Sequence, residues 1–348
     1  METNKTVERD WSSLVPELLN LIARYLTEIS DFVRFRAVCT AWRFSTPITD
    51  LPPQFPWILE TCRFLYEPHI LLYSIISSKT YTIHPPNVLG KMFLGSSQGY
   101  MLTDLCDCTT NQVFSGQHTC QLSLLNLLNN HEITLPACDF MHHAYWIGPQ
   151  QYQIGEFVVC FGYTGCQRYK SAFCCLGEDN WCELESDFKD HFQCFHIKNM
   201  FFRLEEDTGV MKVNNLTTGT LSYVLPPVKD YKVGAIYYPV DASGDILIVF
   251  KRYDCFDVHR LNLSGSSSPF WVKVKNIGNQ ALFIDSQGGF ALEASNFSRV
   301  KANCIYFLDS FSSVKRIDID TGDLELLHCP FEGTSRWFVP NLVHLQAK

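Results

Sequence analysis

Soft thiolate and imidazole donors gather at two points along the chain. Cys106 and Cys108, with His118 and Cys120, are the donor types that zinc prefers. A structural zinc site needs paired ligands at a spacing one turn can close. Here there is no Cys-x-x-Cys pair and no second pair downstream, so the group reads as a loop and not as a metal centre. Cys174, Cys175 and Cys182 lie in or beside an apolar run and read as strand core. His142 and His143 could in principle share acid–base or metal chemistry. Adjacent strand residues point to opposite faces, however, so the two rings do not share one ligand geometry. With Met141, Tyr145 and Trp146 they read as a hairpin end with aromatic packing. No phosphate loop, dinucleotide fingerprint or His-Glu-x-x-His occurs. Acidic pairs such as Glu205 and Glu206 sit beside turns as solvated charge. These residues lead to the expectation of no catalytic residue, no metal and no cofactor.

Composition narrows the class further. The 348 residues suit one small domain plus one large one. With 46% hydrophobic and 18% charged residues the chain reads as globular. A net charge of −8 argues against a broad nucleic-acid footprint. The fifteen cysteines are odd in number and irregular in spacing, and most stand in apolar runs, as Cys160 and Cys304 do. They read as small reduced core residues and not as a disulfide framework. The opening METNKTVERDW lacks the apolar core of a signal peptide, and no stretch nears the roughly 20 apolar residues of a membrane span. The expectation is a soluble intracellular protein of the nucleus or cytoplasm, not a membrane or secreted one. The acceptor motifs at Asn215, Asn262 and Asn296 are then expected to go unused.

Residues 10–46 carry a helical pattern. Leu14, Leu18, Leu19, Ile22 and Leu26 recur at three and four residues, with Pro16 in the first turn, where its missing N–H costs nothing. After a break at Thr27–Ser30, Ser30 or Asp31 can cap a second helix whose stripe runs Phe32, Phe35, Val38, Cys39, Trp42. Two short amphipathic helices bury too little to stand alone. They either cap another domain of this chain or dock another protein. Residues 47–58, with Pro47, Pro52, Pro53 and Pro56, read as a semi-rigid linker.

From residue 59 to 348 the pattern changes to short β-branched and aromatic runs. Examples are Phe157–Phe161, Ile246–Phe250 and Cys304–Leu308. Turn residues punctuate them at Asp207–Gly209, Thr218–Gly219, Ser264–Pro269, Gly288–Gly289 and Asp320–Asp323. A weak repeat links Val213–Leu221, Arg316–Leu324 and Leu125–Ile133, each a strand, a turn and a return strand. Comparable strand ends fall near residues 76, 128, 176, 216, 263 and 319. Steps of that size bracket the blade length of propellers, about 40–50 residues. The fold expected is therefore a small all-α segment followed by an all-β domain, a six- or seven-bladed β-propeller, with a pair of β-sandwiches as the rival.

The helical segment resembles an F-box. The resemblance rests on the run from Leu14 to Leu26 and on Asp31-Phe32, Arg34-x-Arg36, Val38-Cys39 and Trp42-Arg43. One departure is visible: the family has Leu-Pro in succession, and here Val15 separates Leu14 from Pro16. The β part resembles the kelch-like domain of unknown function that follows the F-box in a large family of plant proteins. That match rests on Phe256–Leu263, Trp271–Val274, Asn276–Phe283, Asn303–Phe307 and Trp337–Pro340. The resemblance implies a substrate-recognition subunit of an SCF-type (Skp–cullin–F-box) ubiquitin ligase. Its helices would dock a Skp-type adaptor, and through it a cullin, by helix-in-groove recognition. The implied adaptor anchors are Leu14, Pro16, Leu18, Leu19, Ile22, Leu26, Phe32, Val38, Cys39 and Trp42. The β domain would hold an unidentified target protein, and Tyr145, Trp146 and Trp337 are aromatic candidates for that contact. A non-degradative scaffold and a ligand-sensing propeller are the alternative roles.

Overall fold

A computed structural model describes residues 10–60, 69–105, 121–137 and 158–344, except 98, 166–167, 185–191, 198–199, 206, 217, 219, 234, 243, 253–254, 264–267, 287 and 310–312. Three short helices come first: α1 (Pro16–Ala23), α2 (Ile29–Arg36) and α3 (Thr40–Ser45). The strands that follow are β1 (Trp57–Glu60), β2 (Ile70–Ser74), β3 (Lys79–Ile83), β4 (Lys91–Ser97), β5 (Tyr100–Leu105), β6 (Leu122–Asn126) and β7 (Glu132–Thr134). Next come β8 (Val158–Gly165), β9 (Arg168–Cys175), β10 (Cys182–Leu184), β11 (Phe192–Ile197), β12 (Met200–Glu205), β13 (Met211–Asn215) and β14 (Leu221–Leu225). The last ten are β15 (Ile236–Ala242), β16 (Asp245–Arg252), β17 (Cys255–Asn262), β18 (Phe270–Val274), β19 (Gln280–Asp285), β20 (Gly288–Glu293), β21 (Cys304–Leu308), β22 (Val314–Asp318), β23 (Leu324–Leu327) and β24 (Ser335–Phe338).

Short strands joined by tight turns give antiparallel meanders: β4 to β7, β8 to β10, β11 to β14 and β15 to β18. The turn chemistry seen in the sequence sits where expected. Thr208-Gly209 joins β12 to β13, and Thr321-Gly322 joins β22 to β23, with both glycines at positive φ. The six strand ends expected near 76, 128, 176, 216, 263 and 319 match the ends of β2, β6, β9, β13, β17 and β22 to within two residues. Gly288 and Gly289 differ from their expected turn role, because they open β20.

The sheets pack face to face in succession. On β16, Ile246, Ile248 and Phe250 join a core with Met211 and Val213, whereas Leu247 and Val249 join a different core with Ile305 and Phe307. On β19, Leu282 and Ile284 share that second core, whereas Ala281 and Phe283 pack with Ile58, Tyr73 and Trp337. On β1, Ile58 faces that third core, and Trp57 and Leu59 face Met101 and Leu125. Period-two alternation thus gives each of these sheets two neighbours. The first sheet, β24-β1-β2-β3, is completed by the last strand: Trp57–Glu60 pair antiparallel with Ser335–Phe338. One irregularity joins two meanders into a nine-stranded sheet. There β20 lies between β15 and β19, and β19 pairs parallel with β21.

The proline-rich stretch is docked. Pro52, Gln54, Phe55 and Pro56 are buried, and Phe55 packs edge-on against Phe283 and Phe297 with ring centroids 5.6 and 5.7 Å away. The first strand begins at Trp57.

Candidate functional site

The helical segment is built from local signals. Pro16 occupies the first turn of α1, and the Val15 carbonyl accepts from the amides of Leu18 and Leu19. Ahead of it, the Asp10 carboxylate accepts from the Ser12 amide at 3.0 Å and from the Ser12 hydroxyl, and these bonds hold its pKa below the ordinary value. The second helix differs from the expectation in two ways. It starts at Ile29, with Glu28 as its N-cap and no side-chain cap bond, so neither Ser30 nor Asp31 caps it. It also ends at Arg36, and the chain restarts as α3 after Cys39 turns to an extended conformation. Val38, Cys39 and Thr40 are weak helix formers in succession, which is where a helix yields most cheaply.

The three helices hold one another. The Asn20 amide donates to the Ser45 carbonyl at 3.1 Å, and the Trp42 indole donates to the Trp11 carbonyl at 3.1 Å. Phe35 and Trp42 lie with centroids 4.4 Å apart, and Arg36 Nε donates to the Thr46 carbonyl at 2.6 Å. Desolvation, then the neighbouring Arg43 charge, lowers the Arg36 pKa from its ordinary value.

The segment is also joined to the first sheet. Ile29 enters the core formed by Trp57, Leu59, Ile70 and Leu72. The Ser74 hydroxyl donates to Glu28 Oε1 at 2.6 Å, Ser30 and Tyr81 share a hydrogen bond of 3.2 Å, and Gln54 donates to the carbonyls of Leu26 and Pro52. Burial pushes the Glu28 carboxyl above its ordinary pKa. Hydrogen bonds from Ser74 and Trp57 and the charge of Lys79 oppose that shift, and Asp31 adds to it. Glu28 Oε2 is buried without a hydrogen-bond partner.

The ten expected adaptor anchors divide by burial. Leu19 and Phe32 are fully buried and hold the helices together, so their side chains are not available to a partner. Leu14, Leu26, Cys39 and Trp42 are half-buried, and Trp42 is committed to Phe35 and Trp11. Pro16, Leu18, Ile22 and Val38 are exposed. Six further exposed apolar residues were not anticipated: Trp11, Val15, Leu21, Tyr25 (78% exposed), Val33 and Phe44 (84%). Val15, Leu18, Ile22 and Tyr25 follow a three-four-three spacing and form one open stripe. Apolar residues therefore cover more than one face of α1. That excess over what an amphipathic helix needs was the available signal.

Of the three aromatic candidates in the β domain, Trp337 is a core residue at 3% exposure. Its indole donates to the Ile284 carbonyl at 3.0 Å and its amide to Asp285 at 2.8 Å, so it closes the sheet and does not face a partner. Tyr145 and Trp146 lie outside the described residues, as do Cys106, Cys108, His118, Cys120, His142 and His143. Cys174 is buried, which with Glu178 nearby pushes its thiol up to about 12, whereas Cys182 is exposed. Among the described residues no three His, Cys, Asp or Glu side chains converge as a metal site. No helix among them is long and apolar enough to cross a membrane.

Comparison with known proteins bears on this geometry. The KIB1-4 beta-propeller family model matches residues 72–332. A probable F-box protein of Arabidopsis thaliana is 22% identical, over 96% of this chain and 97% of the relative. A putative F-box protein of the same plant is 24% identical over 86% and 85%, and a putative F-box/kelch-repeat protein is 22% identical over 89% and 90%. A solved structure from a study of two prolyl endopeptidases superposes with a TM-score of 0.40 at 12% identity, over 79% of this chain and 39% of that one. The chain spans about two fifths of that structure, and so loose a superposition carries no functional reading. The ring of packed meanders, the family match across it and the relatives along the whole length agree: the chain belongs to the KIB1-4 β-propeller family and is a plant F-box protein with a β-propeller domain.

Proposed function

We propose that this chain is the substrate-recognition subunit of an SCF-type ubiquitin ligase. Residues 10–46 dock a Skp-type adaptor and through it a cullin, and the β domain from Trp57 onward holds a target protein. The observation that carries the reading is the open apolar stripe Val15, Leu18, Ile22, Tyr25 on a helix already anchored from behind by Leu19 and Ala23. An exposed stripe of that kind seeks a groove. The F-box names of the relatives support it. The chain itself performs no bond chemistry. It raises the local concentration of target lysines near a charged conjugating enzyme. Its place of work is then the nucleus or cytoplasm. Six blades is the reading supported by the six recurring strand ends, with β19 and β20 joining the last meander to the one before it.

The test is capture of a recombinant Skp-type adaptor by the full chain. Leu18→Asp with Ile22→Asp alters two exposed anchors and leaves the helix core intact. The expected loss is at least about 2 kcal/mol, roughly thirtyfold in Kd. Failure of a folded wild-type chain to bind would leave the helices as a cap on the β domain and remove the ligase assignment. Trp42 is a poorer test, because its removal also releases Phe35 and the Trp11 carbonyl.

A further inference from the structure

We propose that the recess between residues 228–235 and strands β16 and β17 binds an oxyanion, a phosphate or carboxylate group. The site is independent of the adaptor surface. Antiparallel pairing sets Phe250 opposite Asp257 and Ile248 opposite His259, so Phe250, Arg252, Asp257 and His259 share one face of the sheet. That face closes the core with Met211 and Val213, and the recess opens at its margin, with a volume of about 250 Å³ counted out to the mouth. Its innermost part has room for about one water-sized group, so a single oxygen enters and the rest of the anion stays at the rim.

The lining is suited to negative charge. His259 is 4% exposed, and its Nδ1 is buried without a hydrogen-bond partner. Its ring stands edge-on to Phe250 at 5.0 Å. An unpaired buried nitrogen is costly, and a ligand oxygen would satisfy it. Asp257 is shared by Arg252 and by Lys273, the residue opposite His259 on β18, so one carboxylate answers two cations. Lys229 and Lys232 stand exposed at the mouth, and Asp230 is the other acid there. Three cations and two carboxylates thus line the recess, with Lys273 reaching Asp257 from the neighbouring strand, in a chain whose net charge is −8. The loop is held in place: the Tyr237 hydroxyl donates to the Lys232 carbonyl at 3.3 Å, and Tyr231 stacks on Tyr237 at 5.5 Å.

The electrostatics set a direction with pH. Burial keeps the His259 imidazole below its ordinary pKa. Lys273 and Arg252 push it the same way, and Asp257 and Asp230 oppose them. A bound oxyanion adds to the opposing side, so binding raises the His259 pKa toward its ordinary value.

The experiment uses the full chain labelled with nitrogen-15 in histidine, titrated with inorganic phosphate and separately with an acidic phosphoserine peptide, at about pH 6 and about pH 8. The His259 resonance, assigned by its loss in His259→Asn, should shift saturably, and its protonated form should gain population at about pH 6 when the probe is bound. Lys229→Glu with Lys232→Glu, both at exposed positions, should weaken binding about tenfold. Tighter binding of the peptide identifies an acidic segment of a partner as the ligand, and equal or tighter binding of phosphate identifies a free anion. No saturable shift with either probe, or a shift unchanged in the double lysine variant, overturns the site.

Discussion

Glu28 connects the helical segment to the sheet and is poorly matched to its surroundings. One carboxylate oxygen is bonded to Ser74, and the other is buried and unpartnered. Its folded pKa lies above its unfolded value, so the stability it contributes is present below the ordinary value of 4.5 and is lost as pH rises through the folded pKa. Glu28→Gln keeps an acceptor for Ser74 and removes the charge. It should raise stability at neutral pH by about 1 kcal/mol and make no difference in acid, as melting temperatures of both proteins across pH would reveal. Trp337 offers the opposite case. Its ring meets Phe283 at 5.1 Å and its indole satisfies the Ile284 carbonyl. Trp337→Ala should cost about 3–5 kcal/mol and Trp337→Phe about 1 kcal/mol by denaturant titration, which separates packing from the hydrogen bond.

At the scale of elements, β20 is the least regular piece. It pairs parallel with β15 through Val240 opposite Gly289, beside its antiparallel pairing with β19. A Cβ at Gly289 would come within 2.9 Å of the Phe283 carbonyl and 3.0 Å of Val240 Cγ2. Gly289→Val should therefore force β15 and β20 apart and cost about 1–3 kcal/mol. Amide exchange should rise first at Val240 and Asp241, the two β15 residues paired with β20. The hairpins were legible in the sequence, because Asp-Thr-Gly turns and period-two runs act over a few residues. The pairing of β20 was not, because glycine beside glycine reads locally as a turn. In the helices the spacing of Leu18, Leu19 and Ile22 revealed α1, but not that Leu19 faces inward while Leu18 and Ile22 face out. That choice depends on what α3 covers.

At the scale of the molecule, closure comes from the two ends of the β domain. Strand β24 completes the sheet begun by β1, and the chain beyond it is pinned by Asn126, whose amide donates to the Asn341 carbonyl at 3.0 Å, and by Asn129, whose amide donates to the Leu342 carbonyl at 3.0 Å. Ending the chain at residue 334 would expose the inner edge of β1 and the core around Phe283. The truncated protein should lose its single cooperative melting transition, which calorimetry would detect against the full chain. The sequence by itself determined the helical segment, the change of period near residue 59, the repeat length and the F-box resemblance, because periodicity, turn residues and motif spacing are properties of neighbours along the chain. Only the tertiary structure decided that the proline stretch is docked, that Trp337 is core, that Val15 and Tyr25 belong to the open stripe, and that His259, Arg252 and Lys232 line one recess. Those facts depend on contacts between residues far apart in the chain. Which face of an element is buried is set by what packs against it.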